Sequence, residues 1–237
     1  MDLSSTARGR LLLATTLFVP LLAALPYGGW LMAAVAPSTI YGWFARRVRF
    51  GDALGAWGLG LAWAGLLSLG TILLVYLWPE AARGIVHGEP YREEMFRWIA
   101  TGEGMENDPS RFIPQHLLHL TVFVLLTWAS AGYLGLALGA LLVAYMSYFV
   151  GSYAVAADAL MLGPLVAWVP WSVLRVGAFV LLGVVFTRPL LERRPWPFTR
   201  RDYGLLALAL SGIVGDLVIK ATAAPAYGRF LRQLGGF

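Results

Sequence analysis

The sequence contains no cysteine, a single lysine and only three histidines, and 13% of its 237 residues are charged. Without cysteine, disulfides and thiolate metal sites are excluded. With 59% hydrophobic residues and so few charges, a water-soluble domain of this size could not cover itself with polar surface. The short alternating segments of a transmembrane barrel are missing, as are internal repeats and low-complexity tracts. Nucleic acid is not an expected partner, because the arginines sit in short stretches beside apolar runs rather than on a patch.

Long apolar runs fill most of the chain. Several approach the roughly 20 residues that cross about 30 Å of hydrocarbon. The expected fold is all-α: one integral membrane domain over residues 1–237, a polytopic bundle of about six transmembrane helices. Its partner is the lipid bilayer, and its expected place is a prokaryotic-type inner membrane. Arg8 and Arg10 before an apolar core resemble a signal peptide, but the run continues to about Ala36 with no clear cleavage site. A retained first span is therefore expected.

In order, span 1 runs from about Leu11 to Val35, with Pro20 and Pro26 predicting a kink or break. If Pro26 and the following glycines instead form a hairpin, the N-terminus changes sides. Tyr41, Trp43, Arg46, Arg47 and Arg49 then read as an interfacial cytoplasmic segment. Span 2, about Ala53 to Trp78, is glycine-rich and expected inside the bundle. Span 3 is expected from Pro114 to Ser130, span 4 from Leu136 to Ala156, span 5 from Pro164 to Thr187 with Pro170 inside it, and span 6 from Gly204 to Thr222. Arg188, Arg193, Arg194, Arg200 and Arg201 form the second basic stretch, expected on the same side as the first.

The one long polar stretch lies between spans 2 and 3. Residues 79–115 are expected to be an outer loop, and Pro79 to His119 holds all three histidines and seven of the thirteen acids. Within it, Tyr91–Ala100 reads as a short helix that turns Met95, Phe96, Trp98 and Ile99 toward the membrane surface. Thr101–Asp108 reads as turns closed by Pro109.

Two constellations carry possible chemistry. His116 and His119, three residues apart on one helical face, with His87 and Glu106 nearby, form a candidate divalent-metal site for hydrolysis. The alternative is a cap whose polar groups bond to one another. No other cofactor is expected. The second constellation lies in the spans, where an ionisable residue costs about 2.5–3.5 kcal/mol on insertion scales and so needs a partner. Depth counting pairs Arg175 with Asp216. Asp158 becomes the partner if the helix begins at Pro170, and Lys220 either joins the ion pair by bonding Asp216 on its own helix or snorkels to the interface.

From His116 onward, three segments resemble the stage II sporulation protein M family: WASAGYLGLALGALLVAYMSYFVG, VPWSVLRVGAFVLLGVVF and GDLVIKATAAPAY. That resemblance implies a membrane scaffold and carries over no catalytic residue. Glu93-Glu94 with Arg97, followed by Phe112 and His116, is similar to the CAAX-protease-like family. It departs from that pattern by one residue before the arginine and by the short spacing to the histidine. Asp216 and Lys220 fit the last helix of a microbial rhodopsin only in spacing, and the partner motif of that family is absent. The expected function is thus a scaffold or complex subunit whose outer loop engages a protein partner. The alternatives are a metal-dependent hydrolase at the outer leaflet and a small transporter or channel.

Overall fold

The computed structural model describes residues 3–158, 162–194, 196 and 198–236. Helices account for nearly all of the regular structure, and no strand occurs among the described residues. In chain order they are α1 (Leu3–Thr15), α2 (Gly28–Val35), α3 (Tyr41–Arg49), α4 (Ala53–Leu77), α5 (Pro79–Ala82), α6 (Gly88–Thr101), α7 (Pro109–Ala129), α8 (Tyr133–Ala156), α9 (Gly163–Ala167), α10 (Pro170–Leu191) and α11 (Arg200–Gly235). Five of them, α4, α7, α8, α10 and α11, are long and apolar enough to cross a membrane. The chain is a multi-pass helical membrane protein.

The first apolar run is broken, and the break has a local cause. After α1 the backbone tightens into a 3₁₀ helix, Thr16–Ala24, around Pro20. Leu25 is extended and Tyr27 is left-handed, so the chain reverses at Pro26. A side chain at Gly28 would run into the Leu22 carbonyl, so α2 can fold back only with glycine there. A short 3₁₀ turn, Ala36–Thr39, continues the return leg into α3. Of the two readings of the first apolar run, this is the hairpin at Pro26 and not one kinked span from Leu11 to Val35.

Two ends of the bundle can be told apart. At the basic end, α3 buries Phe44 and Val48 and presents Arg46, Arg47 and Arg49. The second arginine stretch joins it there, with Arg201 Nη1 donating to the Gly51 carbonyl (3.2 Å). Pro195 and Pro197 of that stretch lie outside the described residues. Helix α4 runs from this end through the bundle's interior, its Gly60 packed on Val180 and its Gly70 on the Leu17 backbone.

At the other end the polar stretch folds into a cap rather than a loose loop. Helix α6 covers the predicted Tyr91–Ala100 segment and extends it at both ends. Gly102, left-handed, ends that helix, and a 3₁₀ turn at Met105–Asn107 leads to α7. Met95, Trp98 and Ile99 are buried against Phe149, Tyr153, Trp171 and Leu231. These residues pack inward on a core of their own, not onto a membrane surface.

The last helix makes this core possible. At 36 residues α11 is about 54 Å long, well beyond one bilayer crossing. Its Thr199–Asp202 capping box starts it at the basic end, and it continues through Pro225 to the cap. There Tyr153 donates to the Leu231 carbonyl (2.8 Å) and Arg232 to the Ile99 carbonyl (2.6 Å). The expected end at Thr222 is therefore short by more than a helical turn.

Helix starts also differ from expectation. Asp108 caps α7, and Pro109, not Pro114, occupies its first turn. Pro164 belongs to the separate short α9, and the chain breaks at Trp168–Val169 before α10 begins at Pro170.

Candidate functional site

Four charged side chains from three elements meet just below the cap. Arg175, on the second turn of α10, donates from Nε and Nη2 to the two oxygens of Asp216 on α11, each at 2.9 Å. Lys220, one turn beyond Asp216, donates to Glu106 Oε1 at 2.8 Å. The other oxygen of Glu106 accepts from the Trp171 indole at 3.0 Å. Asp216, Lys220 and Glu106 are all under 10% exposed. Two cations against two anions leave the group without net charge, which is what burial in a low-dielectric setting demands.

These positions settle several expectations. Helix α10 does begin at Pro170, yet Arg175 pairs with Asp216, and Asp158 is exposed beyond the end of α8. Lys220 does not snorkel. It is 2% exposed and stands 4.6 Å from the centre of the Phe112 ring, a cation–π contact that adds to its ion pair. Glu106 is reached by that lysine rather than by a histidine.

The histidines lie beside this cluster. His87 is left-handed ahead of α6, and its ring meets the Tyr145 ring edge-on at 5.4 Å. Among the described residues no three His, Asp or Glu side chains come together as a metal-ligand group. Of the four candidates, His116 and His119 share one cavity, Glu106 is held by Lys220 and Trp171, and His87 packs on Tyr145.

His116 has one fixed nitrogen and one free. Its Nδ1 lies 2.7 Å from the Phe112 carbonyl, one turn back on α7. A carbonyl oxygen only accepts, so Nδ1 carries the proton and Nε2 of the neutral ring presents a lone pair. Among the described residues Nε2 has no hydrogen-bond partner; it is closed to a water molecule and lies 3.6 Å from Asp216 Oδ2, an oxygen already held by Arg175. An unpaired buried acceptor of this kind costs about 1–3 kcal/mol.

A narrow slot runs beside the His116 side chain. His116, His119, Arg175 and Tyr145 line its head, and it descends between α7, α8 and α10 past Phe123, Gly139 and Gly183 to Thr127 and Thr187. From His116 to Thr127 is about 16 Å of helix, and from Arg175 to Thr187 about 18 Å. The slot exists because α8 supplies glycine where its neighbours supply bulk. A side chain at Gly139 would meet nothing within 4 Å.

The slot has a thin wall. A second, lipid-facing groove is lined by Gly65, Ser68, Leu165 and Trp168, and three residues, Ala64, Val143 and Val176, line both spaces. At the groove's edge the Trp168 indole donates to the Ser68 hydroxyl at 3.0 Å, tying the break before α10 to α4.

The slot head, through Tyr145, and the charge cluster, through Trp171, draw on residues that the sequence does not single out. Tyr145 and Trp171 sit in apolar runs with nothing to mark them out. Their only sequence signal is position, each within a few turns of the cap end of its helix.

No family model matches this chain, and no curated protein or solved structure matches it. The slot and the charge cluster therefore stand on their own geometry.

Proposed function

We propose that this protein takes a single-chain amphiphile from the bilayer, tail in the slot and polar head against His116, His119, Tyr145 and Arg175. The observation that carries this reading is a long apolar slot with His116, His119, Tyr145 and Arg175 gathered at one end. A membrane supplies ligands of that shape, apolar along their length and polar at one end. The head chemistry fits as well. Arg175 spends two donors on Asp216, so the remaining guanidinium N–H groups are left for an anionic or carbonyl oxygen. The thin wall at Ala64, Val143 and Val176 supports lateral entry from the lipid.

In this reading the cap faces the outside of a prokaryotic-type inner membrane and the arginine end faces the cytoplasm, as the distribution of arginine favours. A scaffold role would need the polar stretch to be free for a partner. Here its large apolar side chains are spent on its own core.

Binding of cis-parinarate, a fluorescent fatty acid, to the purified protein in detergent tests the proposal. Saturable fluorescence enhancement is expected, reversed by laurate or by lauroyl lysophosphatidylcholine, and the better competitor identifies the head group. Gly139→Leu fills the slot and should abolish binding, whereas Gly58→Leu, on an exposed face of α4, should not. Equal binding by wild type and Gly139→Leu would place the amphiphile elsewhere.

A further inference from the structure

We infer that a second site, at the membrane boundary beneath the cap, binds the headgroup of phosphatidylethanolamine. Arg83 and Arg92 take its phosphate and Glu93 its ammonium group. Helices α4 and α8 end at the cap with Leu77 and Ala156, and a crevice of about 600 Å³ lies between their ends and α6. Val75, Phe96 and Val155 form its apolar part, and Arg83, Arg92 and Glu93 its charged part. It shares no lining residue with the slot, so this site stands or falls apart from the amphiphile reading.

The depth of the crevice suits a headgroup. Tyr76 and Trp78, each about half exposed at the end of α4, mark the level where hydrocarbon gives way to polar heads. Val155, also half exposed, extends the apolar wall toward the lipid. A lipid seated here keeps its chains in the bilayer and brings only its head into the crevice. The arginines come from different elements, Arg83 from the turn after α5 and Arg92 from α6, and a neighbour steadies each. Arg83 Nη1 lies 2.7 Å from Glu80, and Arg92 Nη2 lies 2.6 Å from Glu89, whose other oxygen accepts from Tyr148 at 2.5 Å. One carboxylate can occupy two of the five N–H groups of a guanidinium, so each arginine retains donors for a phosphate oxygen.

The charge of the crevice selects the head. Glu80 and Glu89 neutralise the two arginines, and the exposed Glu93 enters no ion pair among the described residues. One negative charge is therefore left over beside two arginines that can hold a phosphate. A purely anionic head would be repelled by that charge, whereas a zwitterion of phosphate and ammonium brings a partner for every group. A primary ammonium donates hydrogen bonds to a carboxylate, which a quaternary choline head cannot do.

Native mass spectrometry of the full chain in detergent, after incubation with equal amounts of dioleoyl phosphatidylethanolamine, phosphatidylcholine and phosphatidylglycerol, identifies each bound lipid by its mass. Wild type should hold the ethanolamine lipid about tenfold over either of the others, the weight of one charge-assisted hydrogen bond. Arg83→Gln and Arg92→Gln together should lower its occupancy at least about tenfold. Arg83→Gln alone, at an exposed position, should lower it by less and covers the case in which the double variant fails to fold. Thermal melts report on folding. Glu93→Gln should keep phospholipid bound but erase the preference for ethanolamine over choline. Gly139→Leu, which fills the slot, should change none of this. Equal occupancy by the three lipids in wild type, or undiminished binding in the folded arginine variants, would overturn the inference. Loss of the lipid in Gly139→Leu would overturn it too, by moving the ligand to the slot. So would displacement by an equal concentration of glycerophosphoethanolamine, which would make the ligand a free headgroup and not a membrane lipid.

Discussion

Arg175 and Asp216 face each other across α10 and α11 through two parallel hydrogen bonds of 2.9 Å, with the carboxylate fully buried. Such fork-shaped pairing fixes both the distance and the rotation of the two helices. Removing one member strands the other charge in the bilayer-facing core. Arg175→Met and Asp216→Leu should each destabilise the protein by about 3–5 kcal/mol, and the double variant by clearly less than their sum. A double-mutant cycle on thermal unfolding in detergent measures this, and additive losses would mean the two side chains do not interact.

Glu106 and Lys220 lock the cap to the last helix. Lys220→Met leaves the Glu106 carboxylate with only the Trp171 indole, so the segment Met105–Asn107 should open first. Hydrogen exchange there is expected to rise well before exchange in α4. Combining Lys220→Met with Glu106→Gln removes the stranded charge and should restore part of the protection. No difference between the single and double variants would show that the ion pair does not hold the cap.

The two ends of the bundle make opposite labelling predictions. Cysteine introduced at Glu89 should react with an impermeant maleimide on intact cells, and cysteine at Arg49 or Arg194 only after lysis. The background is clean because the natural chain has no cysteine. Labelling of both ends from the same side would break the proposed topology.

Asp108 gives the start of α7 a dependence on pH. The Ser110 hydroxyl and amide donate to its carboxylate, and Arg111 adds a nearby positive charge, so its pKa lies below the ordinary aspartate range. A lowered folded-state value means the ionised cap stabilises the fold above the unfolded pKa of about 3.9. That contribution is lost as pH falls from there through the lower, folded value. Asp108→Asn keeps a capping side chain but cannot titrate, so its melting temperature should vary less with pH across that acidic window. An unchanged acid profile would remove Asp108 from the account.

Hydropathy carries most of the architecture. Apolar length marks α4, α7, α8, α10 and α11, and arginine position marks one end. The Arg175–Asp216 contact follows from depth along two antiparallel helices, which residue spacing records. The Glu106–Lys220 contact does not, because 114 residues separate its members and Glu106 reads locally as one acid among several in a turn. The reversal at Pro26 was open to two readings, since the same residues kink a helix or end it. The slot left no trace at all. It is an absence of atoms, open space beside Gly139, and no spacing rule describes empty space.

The 114-residue separation of Glu106 and Lys220 also has a meaning in time. Synthesis proceeds from the N-terminus at about 5–20 residues per second, so Glu106 waits about 6–23 seconds for its lysine. Throughout that interval the cap has no α11 beneath it, and Trp98 and Tyr153 lack the helix that seals them. Arg175 at the slot head likewise lacks Asp216 until the last helix has emerged. A ribosome-tethered chain stalled before residue 216 would therefore hold α4, α7 and α8 in the membrane with the cap still open to protease, and would close it only when the final helix arrives.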